Sequence, residues 1–424
     1  MLILLKQGRL IDYVSNMDKV TDILIEDDKI KLINDDISME VDNVIDCKGL
    51  IVIPGLIDMH CHLRDPGFTY KEDIQSGLAS AVKGGFTGVC PMPNTKPTID
   101  NASVLLDVIQ RANEVNLCKM YPVCAVTKEE KGEELTNFEE LKNLGAIFFS
   151  DDGIPVSNAK VMKQAILETN RLGTFVSSHC EEISIKEGAI NEGEVARKLN
   201  VSGVQREAEE IMVAREIVFS ATNNARVHIC HISTKGSVEL IKDAKRRGVP
   251  VTCETCTHHF SLTEQEVLIH GTNAKMNPAL RTEEDRQAII SGLVDGTIDC
   301  IVTDHAPHSE EEKLLDLEKA PNGIIGFETA LMCGITYLFN TGKINYLELV
   351  KLMSTNPAKL LGLNRGTIQE GEVADITIFN PNEEHVYTKE EIVSKSKNSP
   401  FIGKRLKGEV EYTIVEGNIK YKKI

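Results

Sequence analysis

The fold class predicted by this sequence is α/β: a (β/α)8 TIM-like barrel with a small β-sandwich domain formed by both chain ends. Three observations predict it. Between residues 53 and 305, eight short apolar runs rich in β-branched residues alternate with segments of helical period. The two ends instead carry period-two patterns with few helix signals. At 424 residues the chain exceeds one ordinary domain of roughly 100–200 residues but suits a barrel with a second module.

The barrel runs follow in order. They are VIPGLIDMH ending at His60, TGVCPM ending at Met92, KMYPVCAV ending at Val126 and GAIFFS ending at Ser150. TFVSSH ends at His179, RVHICH at His231, PVTCETC at Cys256 and DCIVTD at Asp304. Between residues 159 and 172, Val161, Ala165 and Ile166 fall at helical spacing and Gly173 supplies a stop, as expected of the intervening helices. Such units close a barrel. At the ends, residues 22–26 and 374–378, and the alternation of Val410, Tyr412 and Ile414 before Gly417, read as strands. Neither end alone can bury a face, so residues 1–52 and 366–424 are assigned to one composite domain and 53–365 to the barrel. The charged run 310–319 and the polar stretch 383–399 read as solvated surface.

Charge and composition exclude several partners. A net charge of −17 repels phosphate backbones and anionic lipids, so neither nucleic acid nor a membrane surface is expected as a partner. The longest apolar stretch, 49–57, contains Pro54 and Gly55 and is far shorter than the roughly 18–20 residues of a bilayer span. The opening MLILLKQGRL lacks a basic leader and a small-residue cleavage site, and a cytoplasmic location is expected. Eleven irregularly spaced cysteines read as reduced core residues rather than a disulfide frame.

The chemistry gathers at the strand ends. His60 and His62 stand two apart, so both imidazoles project from one face at the barrel mouth. His179, His231 and Asp304 end later strands, and Asp151-Asp152 follows the fourth, all on the rim where barrel enzymes place their active sites. Four histidines and two carboxylates suit zinc, or another divalent ion such as manganese, and six ligands exceed the need of one tetrahedral ion. Two cations roughly 3.5–4 Å apart would use all six and depress the pKa of water enough to yield a nucleophile at neutral pH. Asp304 would shuttle the proton to a leaving nitrogen, giving hydrolysis of a C–N bond or its reverse. His228, three residues before His231, faces the other way on a strand. Cys253 and Cys256 beside His258 and His259 suggest a structural zinc, but no fourth-ligand pair appears at suitable spacing. His270 and His385 read as surface histidines.

GLIDMHCHLRDPG, PMPNTKP, SDDG, SSHCE, HICHIST, KMNPALR and IVTDHAPH, in that order, resemble dihydroorotases of the bacterial type that carries Asp instead of a carboxylated lysine at the metals. The resemblance covers essentially the whole chain. It implies interconversion of N-carbamoyl-L-aspartate and L-dihydroorotate, the third step of pyrimidine synthesis, with two zinc ions per subunit. By resemblance His60 and His62 hold one metal, His179 and His231 the other, Asp152 bridges, and Asp304 both touches metal and acts as general acid/base. Arg64, Asn94 and His308 match the grip on the substrate carboxylate, Asn277 a further contact, and Asn322 and Gly323 a loop beside the ring. Ala279 and Asn322 depart from the family pattern. Arg64 by its own chemistry suggests the same role, since its planar fork suits a carboxylate. A homodimer is expected, and association with aspartate carbamoyltransferase is left open.

Two rivals are weighed. Dihydropyrimidinase, hydantoinase and allantoinase share the HxH and barrel plan but bridge their metals with a carboxylated lysine, and this sequence has no lysine between Lys142 and Lys160. A non-catalytic scaffold for aspartate carbamoyltransferase would have lost ligands that this sequence retains.

Overall fold

The computed structural model of the chain describes residues 1–423. Parallel strands Leu56–Cys61, Phe86–Pro91 and Lys119–Met120 form one arc of the barrel. Val176–Ser178, Val227–Ile229, Val251–Cys256 and Cys300–Val302 form the other. The arcs join where Asp304 N–H donates to His60 O at 2.9 Å and His62 N–H to His305 O at 2.8 Å. Opposite that seam, the predicted fourth strand contributes isolated bridges through Phe149 to Cys124 and Val176. Pro122, without an N–H, interrupts the ladder there.

Strands packed on both faces need apolar side chains at nearly every position, which is why these segments read as unbroken runs. Ile57, Met59, Cys90, Met92, Val123, Phe148, Phe175, Cys256, Cys300 and Val302 form one buried cluster drawn from all round the barrel. A larger cluster joins the opposite strand faces to the helices. The helix predicted at 159–172 is Ala159–Arg171, capped by Asn158, whose side chain accepts from the N–H groups of Lys160 and Val161. All the cysteines are free and buried, and no described helix is long and apolar enough to cross a membrane.

Both chain ends enter one sheet. Its order is Asn418–Lys422, Arg405–Val415, Ile376–Val386, Ile51–Pro54, Leu2–Asp12, Met17–Glu26 and Lys29–Asn34, with Asn43–Asp46 also paired to Leu2–Asp12. Ile3, Leu5, Ile23, Ile25, Ile376, Ile378 and Ile414 bury its apolar face. The run read from residue 52 to 60 as one strand is two: Gly55 divides a sheet strand from the first barrel strand. A Cβ there would run into the Thr87 side chain, so only glycine makes the crossing.

Two surface assignments are corrected. The stretch 383–399 turns inward after Tyr387, and Ser394, Ser396, Asn398 and Ser399 are buried. Their short polar groups serve buried carboxylates and carbonyls: Ser394 bonds Glu72 and Glu328, and Asn398 bonds Ala306 O and Gly323 O. Within 310–319, Lys313 is also buried, its ammonium taken up by backbone oxygens. Composition does not separate such inward-facing polar groups from solvated ones.

Candidate metal centre and substrate pocket

All six side chains singled out at the strand ends meet. Asp152 sits at the centre. Its Oδ1 lies 3.3 Å from His60 Nε2, 3.4 Å from His179 Nδ1 and 3.4 Å from His231 Nε2, and its Oδ2 lies 3.4 Å from His62 Nε2. Asp304 Oδ1 lies 3.0 Å from His62 Nε2 and 3.9 Å from His60 Nε2. Asp151, inseparable from Asp152 by strand parity, turns away. It accepts from Val126 N–H at 2.7 Å and Thr127 N–H at 3.0 Å, and so fixes the loop that presents its neighbour.

The donor set fits divalent cations. His60 Nε2 and Asp152 Oδ1 are buried without a hydrogen-bond partner, a costly state unless a cation sits between such groups. The tautomers are fixed from behind. His60 Nδ1 lies 2.7 Å from Glu254 Oε1 and His62 Nδ1 lies 2.9 Å from Asn94 Oδ1, which leaves both Nε2 lone pairs facing the centre. His179 is turned the other way, with Nε2 3.4 Å from Glu181 Oε2 and Nδ1 facing inward.

Electrostatics point the same way. Burial opposes the charge of Asp152, but the attraction of His60 and the nearby imidazoles of His179 and His231 hold its carboxyl well below the ordinary range. Burial likewise opposes Glu254, yet hydrogen bonds to His228 and His60 bring it to about 2. Burial works against protonating His179, and the adjacent Asp152 and Glu181 carboxylates outweigh this and push it up to about 9. Carboxylates this strongly anionic draw positive charge into the site, as protons or as metal.

Several functional positions escaped the sequence reading. Glu254 links His60 to His228, whose Nε2 is 3.1 Å away. Its signal was a lone acid inside an apolar strand, overshadowed by the flanking cysteines. Glu181 supports His179, and Cys230 Sγ belongs to the cluster with His60, Asp152 and His231. Asp58 accepts from the His60 and Thr303 N–H groups and ties the seam beneath the strands that carry His60 and Asp304. His231 and Asp304 themselves adopt φ of 27° and 45°, and Arg64 adopts 59°. These left-handed backbones aim side chains into the rim at a cost that cores rarely tolerate away from functional sites.

A cavity of about 250 Å³ opens over the centre, lined by Arg64, Asn94, Asn277, His308, Asn322 and Gly323 together with His62, Asp152, His179, His231, Asp304 and Lys186. Every residue assigned to substrate contact is therefore on its wall. Arg64 Nε donates to Pro307 O at 3.2 Å, and its Nη2 lies 3.3 Å from His308 Nε2. Burial, Arg64 and Lys71 keep His308 neutral. It is not an exposed loop histidine: Nε2–H donates to Asn322 O at 2.8 Å and Nδ1 faces Lys71 Nζ at 3.3 Å. The left-handed φ of 132° at Gly323 lets the loop lie flat, since a Cβ there would come within 2.6 Å of Ala306 Cβ. Cys253 is apart from Cys256, bonded to Thr297 O, while His270 and His385 are half-buried and paired with glutamates.

Comparison with known proteins adds an independent line. Residues 49–237 match a family model described as dihydro-orotase-like, and residues 296–421 one described as amidohydrolase family. The chain is 48% identical to a dihydroorotase of Acetivibrio thermocellus over 98% of both chains. It is 46% identical to a dihydroorotase of Aquifex aeolicus over 99% of both. An L-hydantoinase (dihydropyrimidinase) from Arthrobacter aurescens superposes with a TM-score of 0.88, covering 98% of this chain and 95% of that one at 24% identity, a likeness of fold. Barrel, composite sheet and a rim of converging histidines and carboxylates, with the family models and relatives, define an amidohydrolase, an enzyme that hydrolyses cyclic amide bonds. Within that class the chain belongs to the dihydroorotase family.

Proposed function

We propose that this chain interconverts L-dihydroorotate and N-carbamoyl-L-aspartate, the third step of pyrimidine synthesis, with His60, His62, Asp152, His179, His231 and Asp304 holding two zinc ions. Divalent ions in such a centre would activate water and polarise the reacting carbonyl. Nitrogen and oxygen donors are the set zinc accepts, and Asp152, with one oxygen toward three imidazoles and the other toward His62, is placed to be shared. Ring opening breaks the bond between the amide carbonyl carbon and the ring nitrogen. Asp304 accepts the proton of the attacking water and passes it to that nitrogen, and in ring closure the proton travels back. Arg64, Asn94 and His308 orient the ring carboxylate, Asn277 contacts the substrate, and Asn322 and Gly323 border the ring.

The observation that carries this reading is Arg64. A cation on the wall of the same cavity as Asp304 suits a substrate with a carboxylate and has no task toward uncharged dihydropyrimidines. Turnover of L-dihydroorotate by the zinc-loaded protein, compared with dihydrouracil and hydantoin, tests it; preference for an uncharged ring would transfer the assignment to the dihydropyrimidinase group. A homodimer, and association with aspartate carbamoyltransferase, belong to the same proposal and are read by light scattering and by co-elution of the two proteins.

A further inference from the structure

Behind the cavity wall lie two lysines that the reading above does not use. Lys275 and Lys313 are 5% and 6% exposed, and neither forms an ion pair with a described residue. Their ammonium groups end on backbone oxygens instead. Lys275 Nζ donates to Ala320 O at 2.6 Å and Glu318 O at 3.4 Å. Lys313 Nζ donates to Pro321 O at 2.9 Å and Lys275 O at 3.3 Å. The Lys275 carbonyl also accepts from Gly323 N–H at 3.0 Å. Burying two amines without a carboxylate is expensive, and burial lowers the pKa of Lys275 and pushes that of Lys313 down to about 7.

Three of these four oxygens belong to residues 318–323, and the fourth, the Lys275 carbonyl, is tied to the same segment by the Gly323 N–H. Residues 318–323 carry no helix or strand of their own, and their course is set by what holds them. From the far side, His308 Nε2 grips Asn322 O at 2.8 Å. Asn398 Nδ2 grips Gly323 O at 3.0 Å, while its Oδ1 accepts from His308 N–H at 3.1 Å. The segment is thus held by His308 and Asn398 as well as by the two lysines.

We propose that Lys275 and Lys313 are positioning residues for substrate: a buried two-lysine brace that holds residues 318–323 so that Asn322 and Gly323 meet the bound ring. The proposal rests on the dihydroorotase reading for the identity of that ring. It accounts for a buried lysine inside an otherwise acidic surface run, and for a lysine two residues before Asn277, another group on the cavity wall. Because the clamp acts through loop position, its loss falls on substrate affinity, and the metal ligands are left in place.

Lys275→Met and Lys313→Met keep side-chain length and apolar bulk while removing the donors, and Lys275→Gln retains one donor should either methionine variant fail to fold. The expected result is a rise of about tenfold in KM for dihydroorotate with kcat within about threefold of the parent. Bound zinc per chain should be unchanged, and amide exchange should accelerate in residues 318–323. Unchanged KM together with unchanged exchange in that segment would overturn the brace, as would loss of zinc in proportion to loss of activity. Hydrogen exchange is read without turnover. If the parent fails to open dihydroorotate at all, the functional reading falls while faster exchange in the variants still reports on the brace.

Discussion

Replacing Arg64 by alanine separates recognition of the ring carboxylate from the chemistry at the centre. One N–H of the guanidinium is committed to Pro307 O and one Nη2 flank rests against His308, leaving the rest of the fork free for a carboxylate. A pair of opposite charges near 4 Å is worth about 4 kcal/mol at an effective dielectric constant of about 20. Lys186 on the same cavity wall remains as a second cation, so a net loss of about 3–4 kcal/mol is expected. At about 1.4 kcal/mol per decade this is a fall of roughly 140- to 700-fold in kcat/KM for dihydroorotate. Dihydrouracil has the same cyclic amide without the carboxylate, and its weak turnover should change less than threefold. Arg64→Lys should recover charge but not the fork, and fall between. The assay is ring opening of both substrates by parent and variants at matched zinc content. Equal losses on the two rings, or a loss below tenfold on dihydroorotate, would refute the assignment of Arg64.

Other expectations follow from the supporting shell and the reaction. Glu254→Gln removes the carboxylate behind His60, and zinc affinity measured by chelator competition should weaken by about 10–100-fold; unchanged affinity would deny Glu254 its role. Because folding lowers the Glu254 pKa to about 2 from an ordinary value of about 4.3, its stabilisation is complete above the unfolded value. It is lost as pH falls from about 4 towards 2. In chelator, urea midpoints between pH 6 and pH 3 should therefore fall less steeply for Glu254→Gln than for the parent, and parallel curves would contradict this. Ring opening releases a carboxylic acid, so the open-to-closed ratio at equilibrium should rise about tenfold per pH unit above the carboxyl pKa; a ratio independent of pH would exclude the proposed reaction.

What the sequence revealed depended on contrast with the surroundings. His60, His62, His179, His231 and Asp304 stood out because polar side chains ended apolar runs, and the barrel rim explained why they should converge. The helix that stops before Gly173 and the strands at both ends were equally legible from local patterns. Glu254 and Asp58 lie inside the same runs, where a buried acid looks like an interruption until its partners are known. Asn398 bonds the backbone of His308 and Gly323 on the cavity wall from 90 residues beyond His308 in sequence, and nothing local marks it. Lys313 was hidden by its acidic neighbours, since charge runs report average exposure and not the direction of one side chain. The left-handed conformations of Arg64, His231 and Asp304 are imposed by the closed rim, against the preference of those residues.

The most direct measurement of the central claim is anomalous diffraction at the zinc edge from crystals of the zinc-loaded protein. Two peaks about 3.5–4 Å apart are expected, one beside His60 and His62, the other beside His179 and His231, with Asp152 between them. A single peak elsewhere, such as at Cys256 with His258 and His259, or no peak within reach of Asp152 in protein that turns over dihydroorotate, would contradict it.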